Sequence, residues 1–185
     1  MDKQYHDTFV SWTDVSISSE GWKQAEETMR ILHSKDIELV YSSPLKRAIE
    51  FAELLSDDVR QVRALLPWNR GVLTGLLKSE ADPTLKLFME NTDVRIPLGE
   101  SRLECEKRIE DFYGPAFREA EKHTTAFFTH HSNIDILNSL ILGKRSEEPV
   151  NLVKPSGIVA VHIDGDGWRL EAIHRPDDKT MAGMS

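Results

Sequence analysis

The feature that most constrains this chain is its order of short apolar strands and amphipathic helices. Ile37 to Ser42 reads as a short buried strand, followed at once by Ser43-Pro44 and a helical stretch through Leu55. Thr124 to Thr129 reads as a second compact strand, followed by a helix over Ser132 to Leu142 that Gly143 ends. A strand that runs directly into a helix, repeatedly, predicts a mostly parallel sheet covered by helices on both faces, a three-layer α/β/α sandwich. Ser18 and Ser19 are good caps for a helix carrying Trp22, Ala25, Met29 and Leu32, and Val59 to Val62 reads as another short strand. Leu65 to Leu77, with Pro67, Gly71 and Gly75, reads as a loop. Asp82-Pro83 predicts a helix start, and Ser101 with Glu104 has capping-box spacing before a long helix that Gly114-Pro115 could disturb. Asp164-Gly165-Asp166-Gly167 joins two alternating runs as a hairpin, and 176–185 reads as a flexible tail behind one domain over 1–175.

At 185 residues the chain can bury a sizeable single core. A formal net charge of -8 argues against nucleic acid or membrane surfaces as partners. The single cysteine, Cys105, allows no internal disulfide, and with no apolar run of membrane length the expected setting is the cytoplasm.

Two segments place unusual chemistry at strand ends, where open α/β sheets bind ligands. Tyr41-Ser42-Ser43-Pro44-Leu45-Lys46-Arg47 puts two cations at the start of a helix, where the dipole disfavours them unless an anion binds there. The plainer reading is a pair of solvated surface cations. Phe127-Phe128-Thr129-His130-His131 ends a buried strand in two histidines, residues suited to proton or phosphoryl transfer. Adjacent histidines lack the spacing of a helical metal pair, so a metal module built on His130 and His131 is the weakest reading and no metal is expected.

These segments also carry a family resemblance. Trp12, Asp14, Gly21, Gln24 and Ala25 are spaced like the W-x-D-x-x-L-x-x-x-G-x-x-Q-A stretch of the histidine phosphatase (phosphoglycerate mutase-like) superfamily. Ser42, Ser43, Arg47 and Ala48 resemble its S-S-x-x-x-R-A segment. Leu66 to Gly75 resembles its substrate-facing glycine loop, Pro97-x-Gly99-Glu100-Ser101 its P-x-G-E-S helix start, and Thr129-His130 its late Ser/Thr-His. The order matches across most of the chain. One part does not match: no Arg-His-Gly occurs anywhere, and no apolar strand precedes the entry loop. His6 lies too close to Trp12 and Asp14 to be the motif histidine, and Met1 reads as an internal methionine behind a missing first strand.

The resemblance implies a phosphate monoester hydrolase working through a phosphohistidine, with the nucleophile absent from this chain as numbered. Arg47 and His130 then hold phosphoryl oxygens. Glu100 is the candidate leaving-group acid, because Pro67, Trp68 and Asn69 occupy the loop where a carboxylate is usual. Asn69, Arg70 and His131 are candidate substrate-binding residues. No cofactor is implied, the partner is a small phosphorylated molecule, and a homodimer is compatible. The alternative is a non-catalytic relative that keeps the phosphate cradle. The chain alone is expected to be poorly stable and nearly inactive. The sheet is expected either to gape beside the strands ending at Ser42 and Thr129 or to let those strands close on each other.

Overall fold

The computed structural model describes residues 7–141, 156–164 and 167–174. His6, Gly143, the tip of the hairpin and the tail lie outside the described residues. Helix α1 spans Ser19–Leu32 and begins as its sequence requires: the Ser18 side chain accepts from Gly21 N. Strand β1 is Leu39–Ser42, helix α2 Lys46–Ala52, strand β2 Val59–Gln61, helix α3 Lys78–Glu90 and helix α4 Arg102–Ala120. Strand β3 is Thr125–Phe128, helix α5 His131–Ile141, and strands β4 and β5 are Ile158–Asp164 and Gly167–His174.

The sheet is parallel in the order β2-β1-β3. Side chains alternate across it and set two cores. On one face Val40 and Phe128 pack with Met29 of α1 and Ala52 of α2. On the other, Tyr41 and Phe127 are directly opposite in register and stack at 5.4 Å, joined by Phe112, Tyr113 and Phe117 of α4. Helices therefore cover both faces, and the α/β sandwich expected from the strand–helix alternation is present. β1 and β3 close directly on each other, one of the two arrangements foreseen. Among the described residues β3 pairs only with β1, while β4 and β5 form a separate antiparallel sheet.

The helices differ from expectation in several places, and α2 also ends at Ala52, short of Leu55. Helix α2 begins at Lys46 and not at Pro44, because Ser43 Oγ accepts from Leu45 N in a turn and the first helical amide, Lys46 N, donates to Asp14 Oδ1 at 2.7 Å. Helix α3 begins four residues before Asp82 and carries Pro83 inside; its first turn forms with no side-chain cap on Leu77. Helix α4 runs unbroken through Gly114-Pro115, anchored by the expected capping box between Ser101 and Glu104.

Candidate phosphate site at the carboxyl end of the sheet

Ser42 and Phe128 are register partners, so the segments leaving β1 and β3 emerge side by side at the carboxyl ends of two parallel strands. Ser43 continues the ladder through its N–H to Phe128 O, at 2.9 Å. Both serines are fully buried. Two residues beyond β3, the His130 ring places Nε2 2.8 Å from Ser43 Oγ. Burial holds the His130 pKa well below its ordinary value, and the positive charges of Arg47 and Arg108 push the same way. The ring is therefore neutral at neutral pH.

Arg47, in the first turn of α2, donates from Nη1 to Thr13 O at 2.8 Å and from Nη2 to Ser11 O at 2.9 Å. Burial lowers its pKa to about 10, against the pull of Asp14, so it stays charged at neutral pH. The negative charge that the α2 start calls for is supplied in part by the chain: Asp14 caps Lys46 N and lies 4.0 Å from Lys46 Nζ. The entry loop thus lies across the sheet end. Trp12 Nε1 donates to Pro67 O at 2.7 Å, tying that loop to the glycine loop.

Glu100 occupies a different setting from the one its candidate role suggests. Arg108 Nη2 donates to both Glu100 oxygens, at 3.1 and 3.0 Å, and Arg108 Nη1 donates to Ala64 O and Leu66 O. Both Glu100 oxygens act as acceptors here. The pair fastens the start of α4 to the loop before Trp68, and Trp68 Nε1 donates to Glu100 O. His131 pairs within its own helix, Nδ1 to Asp135 Oδ2 at 2.9 Å, and is exposed. Adjacent in sequence, the two histidines turn to different partners, Ser43 and Asp135. Asn69 Oδ1 accepts from Gly71 N and shapes the loop. Arg47 and His130 both stand just past the ends of β1 and β3, the arginine's charge bearing on the ring, while Asn69, Glu100 and His131 are engaged in internal contacts.

Arg108, Asn133 and Ser11 escape sequence reasoning. Asn133 is buried, with Nδ2 within 3.0 Å of Leu65 O, Leu66 O and Thr129 Oγ1. Ser11, at φ 46, offers its carbonyl to Arg47 and its hydroxyl oxygen to Arg70 N. Each of the three has partners more than 30 residues away. The only local signal is Arg108 lying on the buried side of α4, between Cys105 and Ile109.

Helices on both faces of a parallel sheet, with an arginine and a neutral histidine just past two strand ends, define an α/β sandwich whose candidate site lies at the carboxyl edge of the sheet. The match of residues 2–175 to the histidine phosphatase superfamily (branch 1) makes the family plain, and the chain belongs to it. It is 29% identical over 157 residues to a 2,3-bisphosphoglycerate-dependent phosphoglycerate mutase of Lachnoclostridium phytofermentans, covering 74% of this chain and 63% of that relative. The chain therefore spans less than two thirds of that relative's length. In fold it is similar to the α-ribazole phosphatase of Shigella flexneri, with a TM-score of 0.78 at 19% identity over 94% of this chain and 92% of that one. It is likewise similar to a phosphoserine phosphatase mutant of Entamoeba histolytica in complex with phosphoserine, at 0.77 and 19% over 92% and 90%. Phosphatases and mutases both lie among its relatives.

Proposed function

We propose that this chain binds a small phosphate monoester between Arg47 and His130, and that its reaction class is phosphate monoester hydrolysis through a phosphohistidine. The observation that supports the reading is that Arg47 and His130 both follow the ends of the paired strands β1 and β3, with a neutral imidazole in the field of Arg47 and Arg108. Arg47 supplies fixed positive charge for the phosphoryl oxygens, and its carbonyl partners on Ser11 and Thr13 hold it in place before any ligand arrives. His130, once protonated, adds a second charge-assisted donor. The histidine that would attack phosphorus is the family's Arg-His-Gly histidine, and that triplet is absent from the sequence.

The second reading is a non-catalytic relative that keeps the phosphate cradle. Two measurements on purified Met1–Ser185 separate the readings: titration calorimetry with inorganic phosphate, and turnover of an aryl phosphate. Binding that is lost in Arg47→Met and in His130→Gln supports the cradle; binding unchanged in both overturns it. Turnover below background with intact binding favours the non-catalytic reading for the chain as numbered. Robust turnover abolished by His6→Ala would make His6 the nucleophile.

A further inference from the structure

Ser43 has no exposed surface, so its hydroxyl proton must find an acceptor inside the protein. Among the described residues its Oγ makes two hydrogen bonds. Leu45 N donates to it at 3.4 Å, and His130 Nε2 lies 2.8 Å away. Leu45 N is a donor, so the Ser43 proton goes to the ring nitrogen. A hydroxyl can donate only to a nitrogen that carries no proton of its own, so the neutral His130 ring is protonated on Nδ1. Nε2 is then occupied, and Nδ1–H is the donor the ring has left for an anion. A second proton on the ring is opposed by burial and by the charges of Arg47 on α2 and Arg108 on α4. A bound anion offsets those charges, and the added proton must land on Nε2, facing Ser43. A hydroxyl is suited to that change. Turned about its Cβ–Oγ bond, it accepts from the new N–H, and its second lone pair keeps the contact with Leu45 N.

Resting on the cradle reading, we propose that Ser43 is a positioning residue for His130: it leaves Nδ1–H as the donor to a bound phosphate in both charge states of the ring, and reverses its hydroxyl to receive Nε2–H when anion binding adds a proton. Solvent supplies that proton, Nε2 holds it, and no bond to the Ser43 oxygen is made or broken.

Nitrogen-15 NMR of the whole chain tests the first half, with His130→Gln identifying the ring's signals among the seven histidines. At neutral pH without ligand, the His130 ring should be protonated at Nδ1 and bare at Nε2. As pH falls in saturating sulfate, both nitrogens should become protonated. A free neutral ring protonated at Nε2 overturns the assignment, whether or not any Ser43 variant folds. Sulfate affinity against pH, by calorimetry, tests the second half. Ser43→Ala strips a charge-assisted acceptor from the imidazolium, a larger loss than the neutral bond it also removes. The rise in affinity with falling pH should therefore move roughly one pH unit lower, so that the variant binds roughly tenfold more weakly on the rising part and level with wild type above it. Ser43→Thr, which keeps a hydroxyl, should restore the wild-type profile. Weakening by one factor at every pH marks a merely structural serine, and that outcome or an unmoved profile overturns the proposal. Failure of the wild-type chain to bind sulfate at any pH overturns the cradle instead, while the NMR still decides which nitrogen Ser43 engages.

Discussion

At the scale of single residues, His130 gives a sign that can be checked. Its pKa is depressed because burial and the charges of Arg47 and Arg108 all oppose the imidazolium. A bound dianion offsets those charges and draws a proton onto the ring. Anion binding therefore takes up protons and tightens as pH falls. Sulfate, which does not titrate near neutral pH, isolates the protein's contribution: binding heats in buffers of different ionisation enthalpy should show uptake that His130→Gln removes. Equal heats in all buffers would count against a neutral His130. Without ligand the same depression makes the folded chain lose stability as pH drops below about 6.5, since the unfolded chain binds the proton first. Glu100 gives the second residue-scale test. Glu100→Gln strips Arg108 of its charged acceptor and should cost about 1–3 kcal/mol in denaturant unfolding. If it also slows hydrolysis of a poor leaving group far more than of a good one in a turnover-competent form, Glu100 leaves Arg108 to act as acid; equal slowing assigns it to structure.

At the scale of elements, the two glycine-bearing segments explain each other. Gly71 sits at φ +45, and a Cβ there would meet Pro97 O at 2.0 Å; a Cβ on Gly99 would meet Asn69 O at 2.4 Å. Val72 N donates to Pro97 O and Glu100 N to Asn69 O, so the glycine loop and the start of α4 are clipped backbone to backbone. Gly71→Ala should destabilise by about 2–4 kcal/mol, the sum of a disfavoured φ and a contact that must open, and should weaken phosphate binding with it. A loss under 0.5 kcal/mol by denaturant midpoint would mean that the clip is dispensable. The same region shows what the sequence could disclose. The box at Ser101 and Glu104 was legible because its partners are three residues apart and the chemistry is local. The start of α2 was not, because its cap comes from Asp14, 32 residues away. The start of α3 was missed because Leu77 offers no cap and Pro83 imitates a first-turn proline. His130 and Arg47 could be read from strand ends. Arg108 and Asn133 could not, because their partners are carbonyls of a loop whose path no local pattern fixes.

At the scale of the whole molecule, the described strands form two separate sheets, and that division predicts unequal stability. The parallel sheet is buried on both faces, with Val40 and Phe128 in one core and Tyr41 and Phe127 in the other. The β4–β5 hairpin has no strand neighbour beyond itself among the described residues. A link that ties it in is Thr28 Oγ1 donating to Ser156 O, two residues before β4, at 2.5 Å. A lone two-stranded sheet is marginal in water, so the hairpin depends on the helices beside it. Its ladder joins no third strand among the described residues, whereas β1 is paired on both sides, and local opening is easier where fewer contacts must break. Hydrogen exchange under native conditions should therefore show amides of Val40, Tyr41 and Phe127 exchanging only with global unfolding. Amides paired between Ile158–Asp164 and Gly167–His174 should exchange at least roughly tenfold faster. Thr28→Val, which removes the hydroxyl donor while keeping the side chain's shape, should widen that difference and leave the β1–β3 amides unchanged. Uniform protection across both sheets would show instead that the hairpin and the parallel sheet open as one cooperative unit, with the helices between them coupling as strongly as a shared ladder of hydrogen bonds.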